Sequence, residues 1–140
     1  MTVINEDTKQ KIIDEYNLWV HKQYGDKTLS DRQEKGQFFT PPELTIKMIG
    51  KLKIDDWVLD PCAGSGNLLA AAIIAGADPN KILYNELDPE IFEIGKERLK
   101  GLGVPDSNFY NFDVLESKLW DDLEKRGIAK KQKFKFGLSL

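Results

Sequence analysis

Apolar positions along the 140-residue chain change period several times, and each change predicts an element. Ile12, Ile13, Tyr16, Trp19 and Val20 recur at helical spacing with Lys and Glu between them, which predicts a helix over residues 5–21. Residues 22–37 are polar and read as a loop. Phe38-Phe39-Thr40-Pro41-Pro42 then punctuates the chain. Proline suits the first turn of a helix, where its missing N–H has no partner to lose. The expectation is a helix over 41–51 capped by Thr40, with Glu43 closing a capping box and Leu44, Met48 and Leu52 on one face. A strand at 57–60 leads into the glycine turn Ala63-Gly64-Ser65-Gly66, and an apolar helix follows from Asn67 to about Ala75, ending near Gly76. A second strand at 81–86 precedes a helix opened by Pro89 and running to about Leu99, with Ile91, Ile94 and Leu99 inward and Gly101 and Gly103 as stops. A third strand is expected at 109–112, a loop or helix at 115–127, and a fourth strand at 134–140. Strands alternating with helices predict an α/β fold, a mostly parallel sheet with helices on both faces. No internal repeat or low-complexity tract interrupts it.

Composition agrees with one folded domain. Apolar residues are 41% and charged residues 31% of the chain, too apolar and too balanced for a disordered one. Residues 1–35 are expected as an N-terminal helix and loop, and 36–140 as the α/β core. No apolar run approaches the ~20 residues of a membrane span, and the N-terminus lacks a basic start with an apolar stretch. The expected setting is the cytoplasm, away from membranes. A single cysteine excludes an internal disulfide framework and a multi-cysteine zinc site. Net charge is −3, so there is no chain-wide basic footprint for nucleic acid. The local basic cluster, Lys125, Arg126, Lys130, Lys131, Lys133 and Lys135, reads as a solvated helix end and loop rather than a phosphate contact. Asp121, Asp122 and Glu124 read as a solvated face, His21 as a surface residue, and Cys62 as a small buried thiol without a base to activate it. Tyr16, Trp19 and Tyr24 read as core or as a packing surface over the glycine turn.

Candidate chemistry concentrates in Asp60-Pro61-Cys62-Ala63-Gly64-Ser65-Gly66-Asn67, between a strand and a helix. Glycines there permit a tight turn and close approach of a ligand, and the helix start presents N–H groups and a positive dipole end. Twenty positions beyond Gly66, Glu86 ends the next strand, the usual offset of an acid that clamps ribose hydroxyls. The dinucleotide fingerprint wants a small residue where Leu69 stands, which weakens a nicotinamide cofactor. No Gly-Lys-Ser/Thr follows, so a Walker loop is excluded. Asp60 would repel a pyrophosphate and would suit the α-amino group of a methionine moiety. The pocket chemistry therefore leans toward S-adenosyl-L-methionine.

Gly36-Gln37-Phe38-Phe39-Thr40-Pro41, the segment 60–67 and Asn85-Glu86-Leu87-Asp88-Pro89 together resemble the N6-adenine DNA methyltransferases. They match that family's motifs X, I and II in the order of its gamma arrangement, over roughly residues 32–115. The resemblance implies a three-layer Rossmann-like domain that binds S-adenosyl-L-methionine and acts on DNA. It implies that Phe38, Phe39 and Thr40 line the methionine end, that Asp60 faces the amino group, and that Pro61, Ala63, Gly64 and Gly66 belong to the motif whose backbone forms the floor. It further implies that Glu86 holds the ribose hydroxyls, Leu87 packs on the adenine face, and Asp113 reads the adenine amine with Val114 beside it.

The family's methyl transfer depends on a tetrapeptide, (Asp/Asn/Ser)-Pro-Pro-(Tyr/Phe), after the fourth strand; enzymes that act on a base must extract and grip it. These 140 residues hold one Pro-Pro, at 41–42, within the earlier motif. The expectation is a fold cut off after about its fourth strand, with no catalytic residue of its own and no base methylation alone. DNA would be met through a region or partner chain not present here. Exposed sheet edges would leave room for a protein partner or a second copy. Two other functions stay open: a non-catalytic binding module on the same fold, and a nicotinamide-dependent oxidoreductase. Protein-glutamine methyltransferases share much of the glycine motif, but the segment 36–41 favours the DNA enzymes.

Overall fold

The computed structural model describes residues 2–25 and 40–128. The first helix, α1 (Glu6–Tyr24), runs three residues beyond the expected end and stops at Gly25. Asn5 caps it by accepting the Thr8 N–H at 2.8 Å. Next comes α2 (Pro42–Gly50), then β1 (Val58–Asp60), α3 (Asn67–Ile74), β2 (Ile82–Asn85), α4 (Pro89–Gly101), β3 (Phe109–Tyr110) and α5 (Lys118–Lys125). The strands form one parallel sheet in the order β1-β2-β3, with Asp60 beside Tyr84 and Asn85 beside Tyr110.

Side chains alternate across this sheet as a pleated strand requires. Val58, Ile82 and Tyr84 face one core, which Ile12 of α1, Ile49 of α2, Leu69 of α3 and Leu99 of α4 complete. Leu59, Leu83 and Tyr110 face the other, closed by Leu119 and Leu123 of α5. The result is the expected α/β fold, three layers with helices on both faces. The expected fourth strand at 134–140, most of the expected loop at 22–37 and the basic residues Lys130, Lys131, Lys133 and Lys135 lie outside the described residues.

Several local expectations are corrected. Thr40 does not cap α2, and no side-chain capping bond forms there. Pro41 precedes another proline, which disfavours helical backbone, and it is held extended at φ −59°, ψ 143°. The helix therefore starts one residue later, with Pro41 as its cap, and Thr40 falls outside it. The buried face of α2 is Thr45 and Ile49, while Leu44 and Met48 remain exposed. Trp57 stays out of β1 because its N–H donates to Asp56 Oδ1 at 2.9 Å instead of joining the ladder. β3 stops at Tyr110 for a related reason: beyond it, the side-chain amide of Asn85 takes over both backbone groups of Phe112.

Candidate functional site

The carboxyl ends of the three strands meet at one rim, and an acidic side chain stands at or just beyond each: Asp60, Glu86 and Asp113. Ligands of open parallel sheets bind outside this edge. A cleft of about 300 Å³ opens here, lined by Thr40, Met48, Asp60, Cys62, Ala63, Gly64, Ser65, Asn67 and Leu68. Four of the residues expected from sequence, Thr40, Asp60, Ala63 and Gly64, are thus brought together on its wall.

The turn between β1 and α3 is held from below. Asp60 Oδ1 accepts the Cys62 N–H at 3.1 Å. The Ala63 N–H donates to Asn85 O and the Gly66 N–H to Ala63 O, both at 2.9 Å. Gly64 and Gly66 adopt φ of +56° and +85°, backbone that residues with a Cβ rarely take. A Cβ on Gly66 would also meet Leu99 at 3.3 Å, whereas at Gly64 there is open space. Gly66 therefore packs inward, and Gly64 leaves the backbone open to a ligand.

Two side chains two residues apart, Tyr84 of β2 and Glu86 just beyond it, grip the backbone N–H and carbonyl of Gly64. Glu86 Oε1 accepts the Gly64 N–H at 2.8 Å, and Tyr84 Oη donates to Gly64 O at 2.6 Å. Glu86 Oε2 accepts the Asp88 N–H at 3.0 Å. Each oxygen of Glu86 thus has one backbone donor and lone pairs to spare for hydroxyl donors. Burial raises the Tyr84 hydroxyl, and the charges of Glu86, Asp60 and Glu93 raise it further, so it remains a donor at neutral pH.

Asp60 is the most perturbed acid of the site. Burial pushes its carboxyl up to about 6; the bond from Cys62 N–H opposes this, and the charge of Glu86 adds to it. A cationic group entering the cleft would satisfy this carboxylate, whereas an anionic one would meet two negative charges. Cys62, expected to be buried, is exposed on the wall of the cleft. Its own N–H turns down to Asp60, which leaves the side chain at the surface. Desolvation and the charges of Asp60 and Glu86 raise its thiol, so it is no activated nucleophile.

The remaining expected residues that the structure describes do not line the cleft. Pro61 is buried and its carbonyl accepts from Asn85 Nδ2 at 2.9 Å. Leu87 is 58% exposed beyond the second strand. Asp113 is half-buried and accepts the Leu115 N–H at 2.9 Å, while Val114 O accepts the Trp120 indole N–H at 2.8 Å. Phe38 and Phe39 lie outside the described residues. Among the described residues no group of acids, His and Cys is arranged to hold a metal ion. Arg126 bonds Asn108 Oδ1 at 2.6 Å and also Tyr110 Oη, which makes it a brace between α5 and the sheet.

Three positioning groups escaped the sequence. Asn85 is fully buried and ties Pro61 to Phe112 through its amide. Asn67 sends Nδ2 to Thr40 O at 3.3 Å and accepts from Arg98 at 2.5 Å. Arg98 is buried and also pairs with Glu15 of α1. A signal for Arg98 exists: it falls seven residues after Ile91 and four after Ile94, on the apolar stripe of α4. A charge on such a stripe needs a buried partner.

The model of the N-6 DNA Methylase family matches residues 10–91, more than half of the chain and the whole glycine turn. The chain belongs to the N-6 DNA methylase family. This match runs from within α1 through the cleft and past Glu86. The chain is also 36% identical over 92 residues to the Type II methyltransferase M.VspI of Vibrio sp. (strain 343). That similarity covers 63% of this chain and 22% of the relative, so the matched part spans less than a quarter of the relative's length. No solved structure matches. Members of the N-6 DNA methylase family use S-adenosylmethionine as methyl donor. Among the described residues no helix is long and apolar enough to cross a membrane.

Proposed function

We propose that this chain is the S-adenosyl-L-methionine-binding portion of a site-specific DNA adenine-N6 methyltransferase. One observation carries the proposal: a buried carboxylate, Asp60, and an acid just beyond the second strand, Glu86, meet across a glycine turn where a Cβ on Gly64 would find open space. In that arrangement Asp60 takes the ligand's ammonium, directly or through water. Glu86 takes the two ribose hydroxyls with its free lone pairs. Leu87 and Val114 flank the adenine, and Asp113 accepts from its amine. Thr40, with Phe38 and Phe39, encloses the methionine end. The bound cofactor supplies a methyl group on an electrophilic sulfonium; the chain's residues hold it in place. Removing translational and rotational freedom is the main catalytic service such a site renders. The base amine needs acceptors and a stacking ring that a (Asp/Asn/Ser)-Pro-Pro-(Tyr/Phe) segment would provide, in the same protein or a partner chain, and the DNA contact belongs there too.

Calorimetric titration of the chain with S-adenosylhomocysteine tests this. The expected result is saturable binding, weakened about tenfold or more by Glu86→Ala, the effect of losing a charge-assisted hydrogen bond. NAD should bind far more weakly, since its pyrophosphate would face Asp60 and Glu86. Tighter binding of NAD, or no effect of Glu86→Ala, would overturn the proposal.

A further inference from the structure

We propose that Glu15 and Arg98 are positioning residues for the cofactor cleft, acting through Asn67 to hold Thr40 at its amino-acid end. The inference rests on the cofactor site proposed above. Arg98 leaves α4 with its side chain only 3% exposed. Its Nε and Nη2 donate to the two carboxylate oxygens of Glu15 at 2.8 and 2.6 Å, a forked pairing that fixes the guanidinium plane. The guanidinium lies 4.3 Å over the ring of Trp19, also on α1. The remaining nitrogen, Nη1, points at the cleft: it donates to Asn67 Oδ1 at 2.5 Å and to Ser65 O at 3.2 Å.

Asn67 can be read unambiguously from this contact. Arg98 has no acceptor to offer, so the amide must present its oxygen to Arg98 and its nitrogen elsewhere. That nitrogen donates to Thr40 O at 3.3 Å. A continuous polar path thus runs from an N-terminal helix, through a buried cation, to two segments that line the same cleft. Thr40, Ser65 and Asn67 line it together with Asp60, whereas Glu86 meets it only through the Gly64 N–H. The path therefore supports the Asp60 side, where the ammonium and carboxylate of a methionine moiety would sit, and not the ribose side. Arg98→Lys would lose the fork, because one ammonium cannot serve Glu15, Asn67 and Ser65 in those directions.

Two ligands separate positioning from general support. S-adenosylhomocysteine carries the amino-acid end; 5′-methylthioadenosine keeps the nucleoside and lacks it. The full chain would be titrated with each, as wild type, Glu15→Ala and Arg98→Lys, with melting temperatures measured alongside. Glu15→Ala strips the buried guanidinium of its carboxylate, so Glu15→Gln is titrated as well: it keeps an oxygen to accept one Arg98 N–H and leaves a folded chain to measure if the other two variants do not. The expected result is a loss of about tenfold for S-adenosylhomocysteine in Glu15→Ala, with methylthioadenosine changed less than about twofold. A parallel loss for both ligands, or none for either, would contradict the proposal and leave the pair as ordinary packing. Failure of wild type to bind either ligand would overturn the cofactor site itself and the proposal with it.

Discussion

Gly95→Ala is expected to destabilise the chain by about 3 kcal/mol or more, although alanine is the better helix former by about 1 kcal/mol. A Cβ at position 95 would lie 2.2 Å from the Tyr84 hydroxyl oxygen and 2.7 Å from two of its ring carbons. The ring cannot retreat. Tyr84 is fully buried, tilted against Phe92 and Phe109 with centroids 5.9 and 5.5 Å away. Its hydroxyl is bonded to Gly64 O at 2.6 Å. Either α4 moves off the sheet or Tyr84 leaves the glycine turn, so cofactor affinity should fall as well. Chemical denaturation measures the first effect. Adding Tyr84→Phe should recover only part of the loss, because the ring carbons still collide. A Gly95→Ala chain as stable as wild type would show that this close approach does not exist.

Asp60→Asn is expected to push stability and binding in opposite directions. The folded state holds the Asp60 carboxyl up to about 6 against an ordinary value of 3.8, so it binds that proton more tightly than the unfolded chain does. Stability from this group is therefore greatest at low pH, falls as pH rises from about 3.8 to about 6, and stays reduced above that. Asparagine carries no charge to bury and keeps an oxygen for the Cys62 N–H. At pH 7.5 the variant should be more stable by roughly 1–3 kcal/mol. Its affinity for S-adenosylhomocysteine should fall by about tenfold or more, since a charge-assisted bond to the ammonium is worth roughly 1.5–3 kcal/mol. Wild-type affinity should itself weaken as pH drops through about 6 and Asp60 takes a proton. Thermal melts and titrations across pH 5–8 read all three effects. A variant less stable than wild type at pH 7.5 would mean that Asp60 is not strained by burial.

The parts legible in the sequence are those whose determinants are local. Asp60 to Gly66 is one contiguous turn between a strand and a helix, and its glycines take the positive φ that such a turn demands. Glu86 follows a short apolar strand, so its place at the strand end needed only the period of the pattern. At the start of α2 two adjacent signals compete: the capping-box spacing points to Thr40, and the Pro-Pro pair moves the start by one residue. Cys62 differs from its expectation because its residue type favours the interior, whereas its place in the turn leaves the side chain exposed. The Glu15–Arg98 pair spans 83 positions, and no local spacing encodes such a pairing. What the sequence did hold was a cation on an apolar helical stripe, and an asparagine, Asn85, closing a buried strand; each is a polar group that must find partners inside.

The proposed cofactor site places an adenosyl ligand at the turn between β1 and α3. Backbone amide NMR of the labelled chain during titration with S-adenosylhomocysteine tests it most directly. The amides of Cys62, Gly64 and Ser65, and that of Asp88 through its bond to Glu86, should shift together and saturate at one ligand per chain. Saturable shifts centred elsewhere, for instance at Glu93, Glu97 and Lys100 on the outer side of α4, or unchanged spectra at millimolar ligand, would contradict the proposed site.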